Sequence, residues 1–401
     1  MPNSLPAVAE LPMTRPEGRP WDPPEEFARL RAEQPLCRLT FPDGHVGWLA
    51  TSHALVREVL ADPRFSSRQE LMHSPLPGAN ALERMPPADP GMFIRADGIE
   101  HSRYRTMLTG KFTVRRMRQL TDRIEQFASE LLDAMERQGS SADLVTAFAR
   151  PLPALVICDL LGVPYADREF FQERTATIND ADATPEVMEQ ALNEAGAFLY
   201  ELVKAKRADP TDDLLSDLTK EDLTEPELIQ IALLLLGGGL DTTTNMIGLG
   251  TFALLSHPEQ LAALRAEPEL IDGAVEELMR FLTIAPVSAR SALEDIELGG
   301  RQVKAGETVA VAMHAANRDP EKYPDPDTLD VRRRAVGQLG FGHGVHQCLG
   351  QQLGRIEMQV GFRGLIRRFP HLRLAVPADQ VRTREDSFIG VYGLPVAWDE
   401  V

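Results

Sequence analysis

Residues 341–350 read FGHGVHQCLG and stand directly before a helical pattern. Cys348 therefore lies at the mouth of a helix, where free backbone N–H groups and the positive helix end are expected to lower the pKa of a thiol. Gly342, Gly344 and Gly350 permit tight turns of the chain around one sulfur atom. The segment predicts a thiolate that is held in a fixed and partly shielded position.

Three uses of such a thiolate remain open from these residues alone. A nucleophilic cysteine would need a nearby base, which His343 or His346 could supply. A zinc site would need more soft ligands than the three separated cysteines of this chain. An axial ligand to a haem iron needs one thiolate, glycine turns and a large apolar slot. A buried structural role explains Cys37 and Cys158, but not the glycines and histidines around Cys348.

A second unusual segment lies in the longest helical pattern of the sequence. Thr224 and Glu227 form a predicted capping box with Pro226 in the first turn, and the pattern runs to about Ser256. Its centre, residues 236–244, reads LGGGLDTTT, which is a poor helix-forming sequence because glycine, threonine and aspartate all disfavour helix interiors.

The same centre places an acid beside a hydroxyl. The missing side chains of three glycines would let a flat ligand approach the backbone, and a threonine hydroxyl bonded to a carbonyl can open the helix locally. Asp241 and Thr242 offer the minimum that is needed to relay protons into an apolar cavity. The alternative is tight helix packing through glycine, with the polar residues facing solvent.

The remaining chain predicts a mainly α protein with small β-sheets. Apolar residues recur at helical spacing in residues 24–33, 53–61, 114–137, 185–207 and 354–369. Short strand patterns occur at 47–50, 296–298, 308–313 and 372–376. The Pro-rich residues 1–20 are expected to be extended. Because no internal repeat or low-complexity linker divides the sequence, we expect one domain over residues 1–401.

Residues 70–96 form a loop that is both Pro-rich and apolar, which is unusual because exposed loops are normally polar. It is expected either to close over an apolar cavity or simply to cover the core.

Charge and hydropathy exclude some classes of protein. Lys plus Arg number 42 and Asp plus Glu number 60, so a net charge of −18 argues against binding to a nucleic-acid backbone. The amino terminus does not resemble a signal peptide, and the longest apolar run, 231–240, is too short to span a bilayer. We expect a soluble, cytoplasmic protein that binds no membrane.

Taken together, the motifs resemble those of the cytochrome P450 superfamily. Residues 341–350 match F-x-x-G-x-x-x-C-x-G, and residues 238–243 match [A/G]-G-x-[D/E]-T-[T/S]. Residues 277–280 match E-x-x-R, and DGIEHSRYR at 97–105 is similar to the haem-contacting helix. Residues 316–320, ANRDP, resemble soluble bacterial members. The resemblance covers nearly the whole chain and is strongest to actinobacterial members that tailor natural products.

This resemblance implies a triangular, helix-rich prism with haem b between the long central helix and the cysteine loop. Cys348 would be the proximal iron ligand, and Phe341 would tune its sulfur. Gly238 and Gly350 would also contact the cofactor. The haem propionates would be bound by four further residues, His101, Arg105, Arg290 and His346.

The resemblance also assigns roles away from the cofactor. Asp241 and Thr242 would manage protons during oxygen activation. Glu277 and Arg280 would form a buried structural pair that braces the cysteine loop. The family often adds an Arg or His to this pair, but Thr328 stands where we would expect it. Substrate contacts are expected from five segments, 70–96, 165–190, 233–240, 284–288 and 388–391.

The implied activity is insertion of one oxygen atom from O2 into a fairly large hydrophobic molecule, by hydroxylation or epoxidation in secondary metabolism. Electrons would come from a ferredoxin and its NAD(P)H-dependent reductase, because no segment remains for a flavin domain. Ten arginines cluster in sequence near the expected proximal elements; they are Arg115, Arg116, Arg118, Arg332, Arg333, Arg334, Arg355, Arg363, Arg367 and Arg368. They are expected either to form a basic docking face for an acidic ferredoxin or to be scattered, solvated side chains.

Other functions remain open at this point. A haem-binding sensor or carrier would keep the thiolate without catalysis, and a P450 oxidase would catalyse coupling or ring closure. A haem-free cysteine hydrolase is a third alternative. We expect a monomer in each case.

Overall fold

The computed structural model describes residues 8–77, 85–112, 114–178, 183–385 and 388–398. Its α-helices, in chain order, are α1 (Glu26–Glu33), α2 (His53–Ala61), α3 (Gly98–Thr109), α4 (Val114–Gln138), α5 (Pro151–Leu161), α6 (Arg168–Ile178), α7 (Pro185–Ala208), α8 (Leu214–Leu218), α9 (Glu225–Ser256), α10 (Pro258–Ala266), α11 (Ile271–Leu282), α12 (Met313–Ala316) and α13 (Gln351–Arg368). The prediction of a mainly α protein is confirmed.

The strands are short and form four small sheets. They are β1 (Leu36–Thr40), β2 (Val46–Ala50), β3 (Phe65–Ser66), β4 (Ser141–Asp143), β5 (Val287–Ala292), β6 (Ile296–Leu298), β7 (Arg301–Val303), β8 (Thr308–Ala312), β9 (Arg373–Leu374), β10 (Thr383–Glu385), β11 (Ile389–Val391) and β12 (Pro395–Ala397). The largest sheet has the order β1-β2-β8-β5-β3, and β10 pairs with β11 in an antiparallel hairpin.

The helical core is built around α9. Its carboxyl half is buried on every side from Thr243 to Leu254, and it packs against α5, α7, α11, α13 and the β10–β11 hairpin. A helix that is buried all round is typical of the centre of a large helical protein. The residues of the site described below lie on α9 or on elements that pack near it.

The amino-terminal end of α9 confirms the predicted capping box. Thr224 Oγ1 accepts a hydrogen bond from the Glu227 N–H, and Glu227 Oε2 accepts one from the Thr224 N–H at 2.7 Å. Glu227 Oε1 also accepts hydrogen bonds from Arg103 and Tyr104 of α3. The cap therefore fixes the position of α3 relative to α9.

The amino-terminal segment and the Pro-rich loop are described in part. Residues 8–20 contain no helix, and Val8 pairs with Leu39 beside the first sheet; residues 1–7 lie outside the described residues. In the 70–96 loop, residues 78–84 also lie outside them, whereas Phe93 is buried. Among the described helices, none is long and apolar enough to cross a membrane.

Candidate functional site

A cavity of about 390 Å³ lies between the middle of α9 and the segment that precedes α13. Most of its wall is apolar. The apolar side chains come from the segments before and after α3, from α5, α9 and α12, and from the segment before β5; they include Phe93, Ile94, Phe112, Ile157, Leu160, Leu234, Leu235, Met246, Ile284 and Met313. The polar and charged residues of the wall are few, so each of them is a candidate for binding or chemistry.

The cysteine loop forms one wall of the cavity. The Cys348 N–H donates a hydrogen bond to the Phe341 carbonyl at 2.9 Å, which closes the loop. Gly342 and Gly344 have φ angles of 68° and 75°, in the region that favours glycine. A Cβ atom at Gly344 would lie 2.2 Å from the Leu60 carbonyl oxygen. The loop is therefore pressed against the end of α2, and glycine is required at this position.

Gly350 differs from the sequence-based prediction. Its φ of −80° is accessible to any residue, so the glycine is not needed for a turn. It lines the cavity instead, and a Cβ atom at Gly350 would meet no other atom within 4 Å. The missing side chain leaves open space beside the sulfur.

The Cys348 side chain is exposed to the cavity, and protein encloses the rest of its surroundings. Burial raises the pKa of this thiol, while a hydrogen bond from the Gly350 N–H and the charges of Arg105 and Arg355 act in the opposite direction. The sequence-based prediction of a lowered pKa is therefore wrong for the protein alone, because burial outweighs the helix end. A coordinated metal ion deprotonates a thiol outright.

The other cysteines are buried structural residues. Burial raises the pKa of Cys37 to about 11 and that of Cys158 to about 12. Within the described ranges, no group of three or more His, Cys, Asp or Glu residues is placed to bind a metal ion, and no hydrogen bond joins His343 or His346 to the Cys348 sulfur. This geometry favours neither a zinc site nor a cysteine–histidine pair.

The opposite wall of the cavity is the glycine-rich turn of α9. Thr242 Oγ1 donates a hydrogen bond to the Gly238 carbonyl at 2.8 Å, as the sequence suggested. A Cβ atom at Gly238 would meet nothing within 4 Å, and one at Gly239 would meet only Ile157. A glycine thus faces open space on each side of the cavity, Gly238 on α9 and Gly350 beside Cys348.

Asp241 lies on a different side of α9 from Thr242. Thr242 lines the large cavity, whereas Asp241 lines a separate small pocket under the β10–β11 hairpin. Arg384 Nη1 binds both carboxylate oxygens of Asp241, at 3.0 and 3.1 Å, and Asn245 Nδ2 donates to Oδ1 at 3.2 Å. The acid and the hydroxyl are adjacent in sequence but face different spaces.

Cationic groups collect at one edge of the cavity. Arg105 and Arg290 both line it, and neither pairs with a carboxylate in the part of the chain that the structure describes. Burial lowers the pKa of Arg290 to about 10, with a further contribution from the nearby Arg95. The rings of His101 and His346 lie 4.1 Å apart, and His101 Nε2 and His346 Nδ1 are buried without a hydrogen-bond partner.

These features fit a flat group that carries carboxylates. Buried cations and buried polar atoms normally have partners. Among the described residues, Arg105 and Arg290 bind no carboxylate, His101 Nε2 and His346 Nδ1 have no hydrogen-bond partner, and the Asp97 carboxylate lies 3.9 Å from His346 Nε2. An anionic ligand at this edge would satisfy them. The gap between Gly238 and Gly350 admits a planar body, and Cys348 offers one soft ligand to its centre. The donor set suits a metalloporphyrin with propionates.

The predicted buried pair is present beneath the cysteine loop. Arg280 donates to both carboxylate oxygens of Glu277, at 2.7 and 2.8 Å, and neither side chain is exposed. Arg333 Nε binds Glu277 Oε1 at 3.1 Å and so supplies the third partner that the sequence left undetermined. Thr328 contributes only its carbonyl oxygen, to Arg280 and Arg333.

Three of the five segments expected to contact substrate contribute residues to the cavity wall. The cavity is lined by Phe93 and Ile94 from 70–96, by α9 residues within 233–240, and by Ile284, Ala285 and Ser288. The described residues of 165–190 and 388–391 do not line it, whereas α5, which was not among the expected segments, supplies Ile157 and Leu160.

The sequence analysis did not identify two polar residues near the site, Glu357 and Arg384. Glu357 of α13 lines the cavity and bonds to Thr243, and burial raises the pKa of Glu357 to about 8 against that hydrogen bond. Arg384 binds Asp241 from a distance of 143 residues in sequence. An acid on a buried face of α13 was the only available signal for Glu357, and no local pattern indicates Arg384.

Comparison with known proteins gives concordant matches. A family model described as Cytochrome P450 matches residues 168–391. Cytochrome P450 105C1 from a Streptomyces species is 48% identical over 382 residues, covering 94% of this chain and 95% of that protein. Pentalenic acid synthase from Streptomyces avermitilis is 44% identical over 397 residues, covering 96% and 98%, respectively.

Solved structures agree with these matches. The crystal structure of CYP105P1 in complex with filipin I superimposes with a TM-score of 0.90 at 41% identity, and the alignment covers 98% of this chain and 100% of the other. Full-length coverage at this similarity extends the match to every helix of the site.

Proposed function

This chain belongs to the cytochrome P450 family and is an oxidoreductase that incorporates oxygen, and we propose that it is a haem b monooxygenase acting on a largely apolar small molecule. The observation that carries the proposal is a cavity in which the Cys348 sulfur faces the glycine-rich turn of α9, with Arg105 and Arg290, which have no carboxylate partner among the described residues, at its edge.

Several residues of the chain would hold the cofactor. Cys348 would ligate the iron, Arg105 and Arg290 would bind the propionates, and His101 and His346 would donate hydrogen bonds to them. When bound, thiolate-ligated haem supplies the iron at which dioxygen is activated.

The distal residues control protons and water. The Thr242 hydroxyl donates a hydrogen bond to the Gly238 carbonyl. The Thr242 oxygen is therefore available to the cavity only as a hydrogen-bond acceptor. Asp241, held by Arg384 and Asn245 behind α9, would supply protons to that region past the glycine-rich turn. The apolar wall excludes other water from the reacting carbon.

The same wall defines the class of substrate. Apart from the groups assigned to the cofactor and to protons, the polar residues of the lining are Thr243, Ser288, His343 and Glu357. A pocket with these few polar groups among many aliphatic and aromatic residues favours a hydrophobic molecule with few polar groups. Relatives named for pentalenic acid, and one crystallised with filipin I, are consistent with natural products as substrates. We assign this chain to secondary metabolism on that basis.

Electrons would come from a ferredoxin and its NAD(P)H-dependent reductase. Six of the ten arginines expected at the docking face form ion pairs within the chain; these are Arg116, Arg332, Arg333, Arg355, Arg363 and Arg368. Arg115, Arg118, Arg334 and Arg367 are exposed and have no ion pair in the described residues. The basic face for an acidic partner is therefore reduced to these four side chains.

The proposal is tested by turnover with isotopically labelled dioxygen. The purified protein is combined with a surrogate ferredoxin and reductase and with a panel of hydrophobic natural products, preselected by their effect on the haem spin state. We expect one labelled oxygen atom in the product. A product that forms without label would support coupling or ring closure instead, and haem without any turnover would support a sensor or carrier.

A further inference from the structure

The small pocket behind α9 has the size and lining of a single-water site. Its volume is about 10 Å³, and it lies between α9, the end of the segment before α5, and the β10–β11 hairpin. A cavity of roughly 10–15 Å³ is the smallest that holds one water molecule. The residues of its wall include one with a carboxylate, two with a hydroxyl, one with an amide and two with a guanidinium group, so the wall is polar.

Two buried polar atoms on this wall have no partner among the described residues. Thr244 Oγ1 and Arg150 Nε are both enclosed, and neither makes a hydrogen bond to the part of the chain that the structure describes. Both residues line the same pocket as Asp241. Buried polar atoms are nearly always hydrogen-bonded, and a buried water molecule typically makes two to four such bonds. One water molecule in this pocket would satisfy both atoms at once.

The pocket is held rigidly by the hairpin. Arg384 of β10 binds the Asp241 carboxylate, and Gly390 of β11 lies so close to α9 that a Cβ atom there would be 2.0 Å from Asn245 Oδ1. The hairpin therefore rests directly on α9 at the level of Asp241. Within the described chain, Asp241 reaches the small pocket and Thr242 reaches the large cavity, so protons that pass through Asp241 arrive from behind α9.

We propose that this pocket binds one ordered water molecule, which hands protons from solvent to the Asp241 carboxylate, and that Arg150 and Thr244 are positioning residues for it. The water accepts a hydrogen bond from Arg150 Nε and shares one with Thr244 Oγ1. A proton passed to Asp241 is replaced by one from solvent, so the water is regenerated. Arginine itself is not the donor, because it stays protonated in proteins. The proposal rests on the proton role given to Asp241 above.

The first test is a crystal structure of the haem-loaded enzyme in which ordered waters are resolved. We expect a water within hydrogen-bond distance of both Thr244 Oγ1 and Arg150 Nε. A dry pocket, or an Arg150 side chain that fills it, would overturn the proposal without any measurement of activity.

The second test uses isosteric variants. Thr244→Val and Arg150→Met remove one water ligand each and keep the side-chain shape. Thr251→Val is the matched control, because Thr251 is a buried threonine of α9 whose hydroxyl bonds to the Ile247 carbonyl. The readouts are the share of electrons recovered in product, the solvent isotope effect on product formation, and the haem spectrum.

We expect the first two variants to lose roughly threefold to tenfold in coupled product formation, below the ~100-fold that directly positioned proton transfer contributes. Their solvent isotope effect should rise while the haem spectrum stays normal. If the wild type turns over and Thr244→Val and Arg150→Met behave like the control Thr251→Val, the water site is refuted. A wild type that forms no product would instead count against the proposed function.

Discussion

The Tyr104 hydroxyl donates a 2.5 Å hydrogen bond to Glu227 Oε1, so that the capping box of α9 also anchors α3. α3 carries Arg105, which lines the cavity, and His101, whose ring contacts that of His346, and α9 carries Asp241 and Thr242. A single carboxylate at the amino-terminal end of α9 therefore sets the spacing of the two helices on which the cofactor edge and the proton residues depend.

Glu227→Gln is expected to destabilise the protein at neutral pH and to reduce its loss of stability in acid. Burial opposes ionisation of Glu227, but hydrogen bonds from Arg103, Tyr104 and Thr224 outweigh it and lower its pKa to about 2 from 4.5. A lowered pKa gives stability that is present above pH 4.5 and lost between pH 4.5 and 2. Hydrogen bonds to charged groups contribute about 1.5–3 kcal/mol.

Urea unfolding at several pH values measures this effect. Glu225→Gln is the control, because Glu225 forms only a half-exposed ion pair with Arg207 at 3.4 Å, and such pairs contribute ~0–1 kcal/mol. Equal losses in the two variants, or an unchanged acid transition in Glu227→Gln, would contradict the role of the carboxylate.

Arg333→Ala is expected to destabilise the protein and loosen the cysteine loop, whereas Thr328→Ala should have little effect. Arg333 is the third member of the buried Glu277–Arg280 group, and removal of one partner from such a group costs ~3–5 kcal/mol when it is fully buried. Because Arg333 is partly exposed, we expect the lower end of this range. Thr328 uses only its main-chain carbonyl, so its side chain is dispensable.

Thermal unfolding and the rate of haem loss measure both variants. A Thr328→Ala protein as unstable as Arg333→Ala would show that the side chain at 328, and not the guanidinium at 333, completes the group.

The structure also separates what local sequence can predict from what it cannot. The capping box of Thr224 and Glu227 and the hydrogen bond from Thr242 to Gly238 were predictable, because each joins residues three or four apart. Arg384 reaches Asp241 across 143 residues, and no local pattern records that contact.

Burial is the other quantity that local sequence leaves undetermined. The pKa direction of Cys348 was predicted wrongly because the helix end is a local feature, whereas enclosure of the sulfur depends on the whole fold. Gly350 was assigned to a turn for a similar reason, since its φ and its open surroundings are set by the packing of the loop.

Arg290→Leu is expected to weaken haem retention without destabilising the protein that lacks haem. Arg290 is buried and has no carboxylate partner among the described residues, so burial disfavours its charge until an anion binds. Loss of a charge-assisted hydrogen bond of about 1.5–3 kcal/mol predicts roughly tenfold to hundredfold faster haem loss.

Transfer of haem to an apo-globin acceptor measures that rate, and urea unfolding of the haem-free protein measures stability. Arg290→Lys keeps the charge and should lie between the variant and the wild type. Unchanged haem loss in Arg290→Leu would remove this residue from the cofactor site.

Thr242→Ala is expected to keep haem binding but to divert electrons from product to peroxide. The Thr242 oxygen faces the cavity, and its loss removes an acceptor for water near the reacting centre. Positioned proton transfer contributes ~100-fold or more, which bounds the loss of coupled product. The ratio of product formed to NAD(P)H consumed measures this coupling. Thr242→Ser, which keeps the hydroxyl, should restore most of it. Full coupling in Thr242→Ala would refute the assignment.

The most direct measurement is the optical spectrum of the purified protein, reduced and exposed to carbon monoxide, for the wild type and Cys348→Ser. We predict a strongly red-shifted Soret band in the wild type, its loss in Cys348→Ser, and its retention in Cys158→Ala, whose thiol is buried away from the cavity wall. A colourless protein that takes up no haem, or a spectrum unaffected by Cys348→Ser, would contradict ligation of the iron by Cys348.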